Sequence, residues 1–198
     1  QRGGPSTGLP TKTEQSDLNQ ALYGRNGEAP VPVIAAATPG DCFFAAYEAC
    51  KTAIKYMTPV ILLTDGYLAN GSEPWNIPNT EDLEPIDVKF ANKPNADGDF
   101  LPYMRDDKTL ARPWAIPGTE KLEHRVGGIE TEENTGHVSY DPENHHRMVI
   151  LRQEKVNRIQ NDIAETEIYG ENSGDLLLLS WGGTFGACRS ATETLQEK

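Results

Sequence analysis

The sequence predicts an α/β fold built on parallel strands, and two stretches carry that prediction. Residues 31–64 read strand, helix, strand in quick succession, and an apolar run at 176–179 starts the same alternation again. A full helix, not a tight turn, joins the strands at 31–37 and 60–64, so they pair in parallel as a βαβ unit.

Residues 1 to about 13 (QRGGPSTGLPTKT) hold Gly, Pro, Ser and Thr with two cations and read as a loop. Ser16 to Tyr23 is a short helix stopped by Gly24. VPVIAAA at 31–37 is a strand with Pro32 pushed toward its start. Thr38-Pro39-Gly40-Asp41 is turn chemistry that ends in Asp41 as the expected N-cap. In the following helix, which runs to about Met57, Phe43, Ala46, Cys50, Ala53, Ile54 and Met57 recur at helical steps and predict the buried stripe. Thr58-Pro59 ends it. Val60 to Thr64 is a continuous apolar run bounded by Asp65-Gly66, the pattern of a strand buried on both faces.

From about 70 to 148 the text changes. Pro74, Pro78, Pro85, Pro94, Pro102, Pro113 and Pro117, with Trp75 and Trp114, predict a long extended segment laid over other surfaces. Residues 148–168 predict an amphipathic helix in which Glu154 and Arg158 stand i,i+4, a pair worth about 0.3–0.5 kcal/mol. Gly170 to Gly174 is a hinge-like loop. Leu176 to Leu179 predicts a second buried strand, followed by Trp181-Gly182-Gly183-Thr184 and a final helix.

The 198 residues suffice for one large domain or two modest ones. A formal net charge of -12 disfavours nucleic acid and anionic membrane surfaces, whose binding needs clustered cations, and suits a basic partner subunit. No apolar run approaches the ~20 residues of a membrane helix, and no signal peptide opens the chain. Cys42, Cys50 and Cys188 lack CxxC spacing and give neither a local cluster motif nor a disulfide framework. Cys42 and Cys50 are expected as buried free thiols in a reducing cytoplasm. Without an initiator Met, and ending a few residues into a helical pattern, the chain reads as an excerpt.

Chemistry is sparse. GGPSTGLPTKT fails the phosphate-loop spacing, because Pro10 and Thr11 separate Lys12 from Gly8. What remains is a cluster of donors suited to an anion: Arg2 as a bidentate fork, the hydroxyls of Ser6, Thr7 and Thr11, and Lys12 as a point charge. On the residues alone, a plain surface turn is the favoured reading. His145-His146 is a poor metal pair, HExxH is absent, and no metal site is expected. Glu130, Glu132 and Glu133 read as a solvated charge run. Asp65-Gly66 sits where α/β folds place ligands, although a turn Asp bonded to its own backbone is the favoured reading. No GxSxG elbow or other nucleophile arrangement is present, so no catalytic residue is assigned.

The opening run QRGGPSTGLPTKTEQSDLNQALYG resembles the segment RGGPSTGxPTxxEQxDL of alpha subunits of 2-oxoacid:ferredoxin oxidoreductases. The likeness continues through TPGDCFFAAYEACKTAIKYMTPVILLTDGYLANGSEPW, HRVGGIE and DPENHHRM to LLLLSWGGTFGACRSA, in collinear order. The resemblance implies oxidative decarboxylation of a 2-oxoacid with coenzyme A, with electrons passed to ferredoxin. It points to the 2-oxoglutarate type, giving succinyl-CoA and CO2. Pyruvate or a branched-chain 2-oxoacid is the alternative substrate, and a non-catalytic assembly element the alternative role. It further implies that residues 1–70 are the second half of a thiamine-diphosphate pyrimidine-binding domain, a parallel sheet with flanking helices. Residues 71–173 would be a Pro-rich connection with a charged helix, and 174–198 the start of a transketolase C-terminal-like α/β domain. By the same resemblance Arg2, Thr7 and Thr11 face the substrate carboxylate. Thiamine diphosphate, Mg2+ and iron–sulfur clusters belong to the complete hetero-oligomer, with a beta subunit supplying the pyrophosphate-binding domain. The family's activating glutamate and a substrate-binding threonine lie before Gln1, so this stretch alone is expected to bind no cofactor and to be inactive.

Overall fold

The computed structural model describes residues 16–196. Helix α1 spans Ser16–Tyr23, and Gly24 donates its N–H to the Gln20 carbonyl (2.8 Å) where the helix stops. Strand β1 (Val33–Ala35), helix α2 (Asp41–Tyr56) and strand β2 (Ile61–Leu63) form the expected βαβ unit. The two strands are parallel, in register Val33↔Ile61, Ile34↔Leu62 and Ala35↔Leu63. A short helix α3 (Gly66–Asn70) follows at once. Its Leu68 packs with Ala36 and Ala45 into a small core, which Ile34, Cys42 and Leu62 extend.

Three details of this unit differ from the sequence expectation. The N-cap of α2 is Gly40, with Asp41 already inside the first turn. The Asp41 carboxylate reaches back to the Ala37 N–H (2.8 Å), and the Thr38 hydroxyl accepts from the Asp41 N–H (3.1 Å). The buried face of α2 is Ala45, Ala49 and Tyr56, whereas Phe43 and Cys50 are exposed. Apolar residues surround this helix, so helical spacing selects no face. Small alanines let the helix sit close on the strands, and Phe43 turns outward onto Phe44 and Trp75. β2 is half-buried rather than covered on both faces, because the sheet has two strands. At its C-terminus α2 closes on Met57 in the left-handed conformation (φ 45°), whose N–H returns to the Ala53 and Ile54 carbonyls before Pro59.

Residues 71–141 are mostly irregular, as their prolines predict, with one two-residue parallel pair, β3 (Phe90–Ala91) and β4 (Trp114–Ala115). Phe100, Leu110 and Leu122 of this segment are buried, as is Met148. Helix α4 runs Pro142–Arg158 and not 148–168. Asp141 caps it by accepting the Glu143 N–H (3.0 Å), and Pro142 takes the first turn, where a missing N–H is harmless. The Glu154–Arg158 pair forms at 2.9 Å. Glu130, Glu132 and Glu133 are not a solvated run: Glu130 binds the His145 ring, Glu133 binds Arg147, and Glu132 accepts the Thr135 hydroxyl.

Leu176–Leu179 forms no strand, and its side chains are 45–90% exposed. A ladder needs an edge to pair with, and none of the described residues offers one to this run. Helix α5 (Phe185–Gln196) follows, as expected. No described helix is long and apolar enough to cross a membrane.

Candidate functional site

In a parallel α/β unit the ligand-accessible ground lies beyond the carboxyl ends of the strands. Here β1 runs into Ala36-Ala37-Thr38-Pro39-Gly40 and β2 into Thr64-Asp65. Asp65 is 8% exposed and caps α3, accepting the Leu68 N–H (2.9 Å). Its second oxygen accepts the Gly183 N–H (3.0 Å), 118 residues away in sequence. The carboxylate therefore ties the start of the final helical turn onto the strand ends. Glycine is required at 183: a Cβ there would lie 2.5 Å from Asp65 Oδ2.

On the neighbouring loop, Glu73 accepts hydrogen bonds from the Thr38 hydroxyl (2.7 Å) and the Gly40 N–H. The carboxylate thus fills the positive end of α2 with one of the chain's own anions. Gly40 admits it, since a Cβ would stand 2.6 Å from Glu73 Oε1 and 2.7 Å from Trp75 Cδ1. In the sequence Trp75 reads only as part of the extended segment and Glu73 is unmarked, because nothing in their spacing ties them to Gly40. They reach Gly40 only after the chain folds back across α3.

Arg2, Thr7 and Thr11, like Ser6 and Lys12, lie outside the described residues. At the described strand ends, Asp41, Asp65 and Glu73 each already accept backbone N–H groups. Burial pushes the Cys42 thiol up, with Asp41 and Asp65 adding to the effect. No group of three or more His, Cys, Asp or Glu among the described residues is placed to hold a metal ion. The described residues therefore present no ready set of metal or cluster ligands.

A second network holds the far end of the unit. Tyr56, 3% exposed, donates to Asp162 (2.6 Å), which also pairs with Lys55 (2.7 Å). Burial and this acceptor push the Tyr56 hydroxyl well above its ordinary range, so it remains a donor. The Lys55 and Tyr56 hydrogen bonds hold Asp162 below the usual carboxylate value. Burial works to raise Glu130, yet His145, the Thr131 N–H and Arg152 together leave it below its ordinary value. These contacts fasten α2 to the turn that follows α4, and the 130–133 stretch to α4 itself.

With this arrangement in hand, the relatives can be placed. The family described as "Pyruvate flavodoxin/ferredoxin oxidoreductase, thiamine diP-bdg" matches residues 1–142. The chain belongs to this oxidoreductase family. It is 56% identical over 197 residues to the 2-oxoglutarate oxidoreductase subunit KorA of Mycobacterium tuberculosis, covering 96% of this chain and 29% of that protein. A 2-oxoacid:ferredoxin oxidoreductase alpha subunit of Aeropyrum pernix is 32% identical over 200 residues, 100% of this chain and 30% of that one. Among solved structures, the 2-oxoglutarate:ferredoxin oxidoreductase of Magnetococcus marinus, with 2-oxoglutarate, coenzyme A and succinyl-CoA bound, matches with a TM-score of 0.87 at 36% identity. That match covers 99% of this chain and 34% of the other. The chain thus spans about a third of the length of these relatives, and it shares the family's α/β fold with small parallel sheets.

Proposed function

We propose that the chain is part of the alpha subunit of a thiamine-diphosphate-dependent 2-oxoacid:ferredoxin oxidoreductase acting on 2-oxoglutarate. The reaction converts 2-oxoglutarate and coenzyme A to succinyl-CoA and CO2, and ferredoxin takes the electrons. The observation that carries this reading is the 56% identity to a 2-oxoglutarate oxidoreductase subunit across 96% of the chain. The matched solved enzyme, which holds 2-oxoglutarate and both coenzyme A species, supports the same substrate.

Arg2 is the carboxylate clamp in this reading. A guanidinium presents two parallel N–H groups to a planar carboxylate, which orients as well as binds it. Thr7 and Thr11 add hydroxyl donors. Thiamine diphosphate, when bound in the complete enzyme, supplies the carbanion-stabilising chemistry that decarboxylation needs. In this reading the described residues shape and fasten the strand ends.

The proposed layout is a partial pyrimidine-binding domain at 1–70, a connection at 71–173, and the start of a transketolase C-terminal-like domain at 174–198. The collinear likeness of LLLLSWGGTFGACRSA to the family supports that last assignment. A beta subunit with the pyrophosphate-binding domain, ferredoxin, Mg2+, iron–sulfur clusters and a cytoplasmic setting complete the proposal.

The test uses the complete enzyme purified without oxygen, comparing coenzyme A-dependent viologen reduction with 2-oxoglutarate, pyruvate and a branched-chain 2-oxoacid. Preference for 2-oxoglutarate is expected, and turnover of another 2-oxoacid in its place overturns the substrate assignment. Arg2→Ala is expected to raise the apparent KM for the 2-oxoacid at least about tenfold, the scale of one lost charge-assisted hydrogen bond. Unchanged kinetics would remove Arg2 from the site.

A further inference from the structure

We propose that the hollow between α2, residues 84–89 and residues 104–114 is an anion site for a phosphate ester or pyrophosphate group, gripped by Arg105 and Arg112. The proposal stands apart from the 2-oxoacid reading and invokes none of the residues assigned there.

The charge pattern is the first support. Lys51, Lys55, Lys89, Arg105, Lys108 and Arg112 all line this cavity of about 840 Å3, in a chain whose net charge is -12. Glu84, Asp87 and Asp106 are the only acids lining it. Glu84 is taken by Lys51, and Asp106 by the Lys108 and Thr109 N–H groups and the Thr109 hydroxyl. Carboxylates are abundant in this sequence, yet here the cations outnumber them.

The second support is what the cations touch. Arg105 is half-buried and directs its guanidinium at the Tyr103 carbonyl (3.3 Å) and the Met148 sulfur (3.5 Å), two neutral acceptors rather than a carboxylate. Arg112 stacks on the Tyr103 ring with its guanidinium carbon 4.5 Å from the centroid. Neither arginine forms an ion pair among the described residues, and nor does Lys155 on α4. Lys155 is close enough to feel both arginines. Burial first, and then Arg105 and Arg112, depress its ammonium to about 8. Burial likewise lowers Arg105; the Glu133 carboxylate opposes this, and Arg112 and Arg152 add to it. Crowded, partly desolvated like charges are costly unless an anion sits among them.

The third support is shape. Ile54, Ile86, Met104 and Trp114 give the hollow apolar walls beside the cationic rim. A cavity of this size with few polar anchors suits a small organic ligand better than a bare ion. Two arginine forks with an ammonium behind them match the geometry and charge of a phosphate dianion, whereas a single carboxylate needs one fork.

The test is equilibrium dialysis of labelled inorganic pyrophosphate against the complete enzyme already saturated with thiamine diphosphate. The wild type is expected to bind pyrophosphate at a site that Arg112→Gln weakens about tenfold or more, with Arg112→Lys falling between the two. Lys89→Gln on the rim, which disturbs no buried contact, is the second variant and is expected to weaken binding severalfold. Displacement by coenzyme A would identify the phosphate as that coenzyme's, and retention would identify a separate phosphorylated ligand. Either result upholds the anion site. Equal pyrophosphate binding by the wild type and by folded Arg112→Gln and Lys89→Gln, or no binding at all, overturns it.

Discussion

Replacing Gly183 with Ala tests whether the Asp65 carboxylate is the tie between the strand ends and the final helix. The new methyl would stand 2.5 Å from Asp65 Oδ2, so the carboxylate must swing away. Two bonds are at risk: the 3.0 Å bond from the Gly183 N–H and the 2.9 Å cap to the Leu68 N–H. Hydrogen bonds to charged groups contribute about 1.5–3 kcal/mol each, and a lost N-cap costs about 1 kcal/mol. Gly183→Ala should therefore cost about 2 kcal/mol locally, and Asp65→Ala somewhat more. The two are not independent. In an Asp65→Ala background the methyl meets no carboxylate, and its cost should fall close to zero, leaving a coupling of about 2 kcal/mol. Hydrogen exchange of peptides covering 65–71 and 180–186 in the complete subunit reads this directly. Protection should fall about thirtyfold for Gly183→Ala in the wild type and hardly at all in the Asp65→Ala background. Equal losses in both backgrounds would show that Gly183 acts through something other than Asp65.

Lys155→Met should stabilise the ligand-free protein at neutral pH. The folded ammonium titrates at about 8 against an ordinary 10.5, so the unfolded chain binds more protons between those values. Stability consequently rises with pH from about 8 to 10.5, by about 3 kcal/mol as an upper bound, and the variant should abolish that rise in urea melts at pH 7 and 9.5. Tyr56→Phe removes the donor to Asp162 and should cost about 1–2 kcal/mol in thermal unfolding. Asp162 is held below its ordinary value, so its stabilisation is present above that ordinary value and is lost as pH falls through the lowered one. The Phe variant should move that acid loss to higher pH. Asp141→Ala should cost about 1 kcal/mol and increase exchange in the first turn of α4, with 150–158 little changed.

Local chemistry was legible where it acts over a few residues. Gly24 stops α1 and Thr58-Pro59 follows the end of α2 because turn and cap preferences are carried by the residues themselves. Asp141-Pro142 carried the same kind of signal for α4, a cap followed by a proline at the first helical position. The apolar periodicity further along drew the expected start to residue 148 instead. Leu176–Leu179 shows the opposite failure. Its composition fits a buried strand, yet burial is a property of what covers a segment, and nothing described covers this one.

By itself the sequence determined the parallel βαβ unit, because two apolar runs separated by a full helix have few other ways to pair. It also determined the family, because a long specific motif survives in the opening residues. Tertiary structure alone decided which face of α2 is buried, that Glu73 fills the N-terminus of that helix, that Asp65 binds Gly183 across 118 positions, and that Arg105 and Arg112 lie near enough to Lys155 to depress it. Helical and strand periodicities report on neighbours within a turn or two. Contacts at such separations depend on how the irregular 71–141 segment is laid against α2, and no local preference encodes that path.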